Sequence, residues 1–131
     1  MRRFIVLALL AGVLVGCANQ PIYDVQYHPI PLAAQKMPLE RIETVIIQAG
    51  QSRNWKFQRA GTGHLIAVQT DPKYSATVDV YFDQNSYRII KSSTTGMKEK
   101  EGTVHPHYNF WIRNLERDIE TYLANASVIA G

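Results

Sequence analysis

Cysteine is nearly absent from this chain, with one residue in 131, so no internal disulfide can form. Long apolar runs are absent as well. The apolar stretch Phe4 to Leu14 falls short of the about 20 residues that a membrane-spanning helix needs. Neither sign of charge dominates: 14 Lys and Arg stand against 11 Asp and Glu, and two of the cations, Arg2 and Arg3, precede the apolar run. The clustered basic face of a nucleic-acid-binding protein is therefore missing, and no nucleic-acid partner is expected. No internal repeat of about 20–50 residues is present, which argues against a solenoid.

Signatures of chemistry are equally scarce. Ser75, Ser86, Ser92 and Ser93 sit in no nucleophile elbow and beside no base motif. Asp79 and Asp83, four apart along one extended face, are roughly 13 Å from end to end, too far apart for an acid–base pair. His105 and His107 are two apart, a spacing that does not align both rings on a helix, while His28 and His64 are remote in sequence. The chain is read as a non-enzyme, with no catalytic residue, metal site or cofactor assigned.

What is present begins with Cys17. Arg2 and Arg3 form a positive lead, Phe4 to Leu14 an apolar segment, and the run Leu14-Val15-Gly16-Cys17 closes it. This tetrapeptide resembles the bacterial lipobox, in which the cysteine thiol carries diacylglycerol. The resemblance implies a signal peptide over 1–16, a mature chain starting at an acylated Cys17, and attachment to a membrane through that lipid. Ala18 stands where an aspartate would point to the inner membrane. The expected address is thus the outer membrane of a Gram-negative cell, on its periplasmic side. Export implies an oxidising compartment, in which a lone cysteine has no internal partner.

Beyond the anchor, Pro21, Pro29 and Pro31 punctuate residues 17–37 without any sustained period, which predicts a tether. A flexible segment of that length reaches about 25 Å on average. The alternative is a short docked segment carrying Tyr23, Tyr27 and Ile30. Pro38 is suited to the first turn of a helix, and Leu39, Ile42, Ile46 and Ala49 recur at spacings of three and four, predicting an amphipathic helix over about 38–53. Strands follow at Trp55–Gln58, Leu65–Thr70, Tyr74–Phe82 and Ser86–Thr94, the third with the clearest alternation. Gly96–Gly102 reads as a solvated loop. A last helix opens at Pro106, with Trp111, Leu115, Ile119, Tyr122 and Leu123 on one face. The predicted fold is α+β: a four-stranded antiparallel meander with the N-terminal and C-terminal helices packed on one face. A single domain is expected over 38–125 and a tail over 126–131.

The segment from Val104 to Leu115 is the richest in distinctive side chains. His105, Tyr108, Asn109, Trp111, Asn114 and Leu115 spell His-x-x-Tyr-Asn-x-Trp-x-x-Asn-Leu, a pattern that resembles the C-terminal helix of a family of small proteobacterial lipoproteins. That resemblance covers most of residues 38–123 and implies a lipidated α+β domain without implying an activity. Read physically, His105 falls at the N-cap before Pro106, Tyr108 enters the core, and Asn109 bonds an adjacent loop. A ligand contact through His105, Tyr108 and Asn109 is the other reading. The outer sheet face, with Thr77, Asp79, Tyr81, Arg88 and Ile90, is a candidate contact surface. Two functions follow: a non-catalytic envelope accessory protein that binds another protein or component, or a periplasmic small-ligand module with a pocket at the start of the last helix.

Overall fold

The computed structural model describes residues 18–130, so the leader assigned to 1–16 and the lipidation assigned to Cys17 lie outside the described residues. In chain order the elements are β1 (Gln20–Pro21), β2 (Val25–Pro29), a 3-10 turn (Ala34–Lys36), α1 (Leu39–Gln51), β3 (Lys56–Gly61), β4 (His64–Thr70), β5 (Ser75–Phe82), β6 (Ser86–Thr95), β7 (Thr103–Val104) and α2 (Pro106–Ala130). The fold is α+β, as expected. Its main sheet has five strands in the order β2-β6-β5-β4-β3, and β1 pairs with β7 in a separate two-stranded ribbon. Every pairing is antiparallel, as the short connections from β3 to β6 require.

The four-stranded prediction missed β2, which lies in the expected tether. Val25 and Ile30 are 4% and 1% exposed, and the Ile30 N–H donates to Asn85 O at 2.9 Å. Prolines read as breakers are here compatible with a strand, because β2 is an edge strand that pairs only with β6. With five residues and a bulge between Val25 and His28, it carries no measurable alternation. Further along, Ala34 is buried and Gln84 Nε2 donates to Met37 O at 2.8 Å. The body of the molecule therefore begins at Asn19, whose amide donates to Lys98 O at 2.9 Å.

Helix α1 starts one residue later than expected, with Pro38 at its N-cap, and buries Ile42, Val45, Ile46 and Ala49. Gly50 lies inside it for a steric reason: a side chain there would collide with the Phe57 ring, and Trp55 Cβ would lie 3.3 Å away. Its bare backbone lets the start of β3 fold against the helix.

In α2 the buried stripe is Tyr108, Ile112, Leu115, Ile119 and Leu123, all 0% exposed. This is a rotation of the predicted face. Trp111 is only half-buried and Tyr122 is exposed, whereas Asn114, outside the predicted face, is 9% exposed. The helix also runs through the predicted tail to Ala130 and buries Ala126. Both helices and the inner sheet residues Leu65, Ala67, Val78, Val80, Tyr87 and Ile89 join one core. The other sheet face, with Ile66, Val68, Thr77, Asp79, Tyr81, Arg88 and Ile90, stays half-buried or exposed. Among the described residues no helix is long and apolar enough to cross a membrane.

Candidate functional site

The corner at the start of α2 gathers the sequence candidates. Pro106 has no N–H to satisfy in the first turn, and the next orphan donor, His107 N–H, gives its hydrogen to His105 Nδ1 at 3.0 Å. His105 is thus the cap of α2, with Nδ1 as an acceptor and its ring tilted over Tyr74 at 5.1 Å. His107 lies 5.0 Å from Tyr74 and 4.6 Å from Trp111, which meets Trp55 edge-on. No carboxylate adjoins these histidines in sequence, but one does in space. Asp71, in the turn between β4 and β5, places Oδ2 3.1 Å from His107 Nε2 while Oδ1 accepts from the Tyr74 and Lys73 N–H groups at 2.7 and 2.8 Å. Those backbone donors, Tyr74 first, hold the Asp71 carboxyl below its usual range, and His107 adds to the effect.

Asn109 is 1% exposed, and its amide is fully used. Oδ1 accepts from Tyr23 N–H at 2.9 Å, and Nδ2 donates to Pro21 O at 2.9 Å and Gln20 Oε1 at 3.2 Å. Tyr108 is wholly enclosed, and its hydroxyl has no partner among the described residues. Burial first, and then the charges of Asp24 and Glu99, push that phenol up. The three predicted site residues therefore meet at one corner with separate tasks. His105 ends the helix, Asn109 clasps the N-terminal segment, and Tyr108 fills the core; of the three, only His105 reaches solvent.

One constellation escaped the sequence, and a second was read there only in part. In the first, His28 on β2 stacks on Tyr87 at 4.8 Å and spans two carboxylates of α2, with Nδ1 2.7 Å from Glu116 and Nε2 2.9 Å from Glu120. Tyr23 OH donates to the other oxygen of Glu116 at 2.5 Å, which together with burial raises that phenol, and the Arg113 guanidinium lies 4.6 Å from its ring. Tyr87 OH donates to Glu116 O at 3.0 Å, and burial followed by the Glu116 charge raises this phenol as well. The two carboxylates address opposite ring nitrogens, so these groups form a clasp and do not converge on one point. Among the described residues, no three His, Cys, Asp or Glu side chains are placed to hold a metal ion.

The second constellation crosses the outer sheet face. His64 on β4 and Tyr81 on β5 are direct cross-strand partners and stack at 4.3 Å; Tyr81 and Arg88 on β6 are partners in turn, with the guanidinium 5.3 Å from the ring. His64 Nε2 also meets Asp79 at 2.7 Å. The row is bordered by the half-exposed Ile66, Val68 and Ile90. Alternation along the third predicted strand placed Asp79 and Tyr81 outside, but only the register between strands brings His64 onto them. Compared with known proteins, the chain matches no protein-family model, no curated protein and no solved structure.

Proposed function

We propose that this chain is a lipoprotein, acylated at Cys17 and held on the periplasmic side of the outer membrane. In this reading it works without catalysis, docking another envelope protein or component on the outer face of its sheet. The observation that carries the docking part is that face itself. It is a side of a five-stranded sheet that neither helix covers, where a histidine, a tyrosine and an arginine stack in a row beside Ile66, Val68 and Ile90. Such a mixture of aromatic, cationic and aliphatic groups is typical of protein-binding surfaces. The anchoring part is supported by Leu14-Val15-Gly16-Cys17 and by the resemblance of the His105-to-Leu115 pattern to small lipoproteins.

The small-ligand reading draws less support, because Asn109 is saturated by residues 20–23 and Tyr108 is enclosed. Two experiments test the proposal. Labelled fatty acid should enter the parent chain and not Cys17→Ala; equal incorporation, or none in the parent, removes the anchor. A photo-crosslinking residue at Thr77 on the outer face should capture a discrete envelope adduct in cells, while one at Gln48 on α1 should not. Adducts at both positions, or at Gln48 alone, reject the sheet face as the docking surface.

A further inference from the structure

The structure fixes how little freedom separates the anchor from the body. Only Ala18 intervenes between Cys17 and Asn19, and from Asn19 onward the chain is held: Asn19 by Lys98 O, Gln20 and Pro21 by pairing with Val104 and Thr103, Ile22 by Gly102 O, and Gln20, Pro21 and Tyr23 by Asn109. Two residues of slack span at most about 7 Å. An acyl chain on Cys17 would therefore draw one particular end of the domain against the bilayer.

That end is built from the 96–102 loop, the Asp71–Tyr74 turn and the start of α2. Gly96, at φ 78°, packs against the Lys73 carbonyl, and Thr95 pairs with Ser75, so the loop and the turn are neighbours. Lys98 and Lys100 are exposed there, and neither makes an ion pair with a described residue. Glu99 is different: its carboxylate is engaged by Lys91 Nζ at 2.7 Å and Thr94 Oγ1 at 2.8 Å, and the Lys91 bond chiefly holds it below its usual range. Ala18, Asn19, Lys98, Glu99, Lys100 and Thr103 line an open hollow of about 660 Å³ where the chain leaves the domain. Lys73 and the half-exposed rings of Tyr74, His105 and His107 lie on the same end. Ammonium groups and half-buried aromatic rings are the groups that settle at the headgroup level of a bilayer.

We infer that this end is a membrane-apposed face, with Lys98 and Lys100 on lipid phosphates and Tyr74, His105 and His107 at the headgroup boundary. The inference rests on the proposed acylation of Cys17. Its consequence is a fixed orientation. The strands run away from the membrane, from Ser75 and Thr95 to Phe82 and Ser86, so the outer sheet face stands sideways and open, reaching about 25 Å from the surface.

The test uses the acylated full mature chain in vesicles of phosphatidylethanolamine and phosphatidylglycerol that contain a nickel-chelating headgroup. Spin labels are placed at Glu101→Cys in the loop and at Asn85→Cys in the opposite turn. The label at 101 should relax several-fold faster than the label at 85, and in Lys98→Glu/Lys100→Glu the rate at 101 should fall toward that at 85. Equal rates at the two positions overturn the orientation, and a rate at 101 unchanged by the charge reversal overturns the role of the lysines. Acyl mass and co-flotation of the unlabelled chain are read separately: an acylated, floating chain with equal rates defeats this inference alone, whereas an unacylated chain defeats the anchor.

Discussion

The corner at the start of α2 and the outer face of the sheet use the same chemistry in opposite circumstances. Each joins a histidine to an aspartate and sets rings beside them: His107 with Asp71, Tyr74 and Trp111 in one, His64 with Asp79 and Tyr81 in the other. At the corner these groups and the adjoining Asn109 tie α2 to the Asp71–Tyr74 turn and to the N-terminal segment, whose own strand β1 supplies only two residues of backbone pairing. On the outer face they decorate strands whose backbone ladders already fix the register. Polar groups that organise the fold are costly to remove, and polar groups that ride on it are free to serve a partner. The comparison predicts a graded series of effects.

The largest effect belongs to neither region and sets the scale. Leu115 is at the centre of the α2 stripe with no exposure, so Leu115→Ala should cost about 3–4 kcal/mol, a large share of the about 5–15 kcal/mol that holds a small domain. Trp111→Ala, at a half-buried site on the flank of that stripe, should cost less. Chemical denaturation of the two variants measures both. A larger loss at Trp111 would restore the helix face expected from the sequence and place the corner inside the core.

Asn109→Ala comes next. It leaves the Tyr23 N–H and the Pro21 carbonyl without their partner at a site with 1% exposure, and one unsatisfied buried group costs about 1–3 kcal/mol. The expected loss is about 2–3 kcal/mol, together with a local signature: faster hydrogen exchange at the Tyr23 amide and in the β1–β7 ribbon, with β4 and β5 still protected. Unchanged exchange at Tyr23 would mean that Asn109 is not the clasp, and would return it to the list of ligand contacts.

These two sites also show how far the sequence could be read. The alternation along β5 and the three-and-four spacing in both helices are local signals, so the α+β class, the meander and the general course of α2 were legible. The fifth strand was not, because β2 is short, bulged and flanked by prolines, and it is a strand only by virtue of β6, about sixty residues on. The partners of Asn109 lie 86 to 89 residues away, and those of His28 lie 88 and 92 away. No spacing rule spans such distances. His105 was legible as a cap because capping is local: its acceptor and the donor it serves are two residues apart.

A smaller effect at the corner depends on acid. The Asp71 carboxyl is held below its usual range in the folded chain, chiefly by the Tyr74 and Lys73 N–H groups, so its contribution is fully present above the unfolded value of about 4 and is lost as pH falls through the lower folded value. Melting temperature should therefore drop more steeply below about pH 4 in the parent than in Asp71→Asn, which keeps an oxygen acceptor for the turn but does not titrate. Solvent exposure keeps this effect small. Parallel curves for the two proteins would show that the His107–Asp71 contact and its turn contribute nothing to holding the corner.

The smallest effect on stability is expected on the outer face, and that smallness is what makes the face a candidate for function. Tyr81 is 36% exposed, with His64 stacked on it and Arg88 over its ring. Cross-strand and cation–π contacts at exposed sites contribute about 0.5–1 kcal/mol, and the ladders on both sides of β5 remain when the ring is removed. Tyr81→Ser should thus lower the denaturation midpoint only slightly, well below the loss in Asn109→Ala, and leave exchange protection of β4, β5 and β6 intact. If the face docks an envelope component, the same variant should lose the adduct captured from Thr77 while the fold persists. A loss of stability as large as that of Asn109→Ala would erase the contrast between the two regions and make the outer row a structural device. Retention of both stability and adduct would show that the row is not what the partner reads.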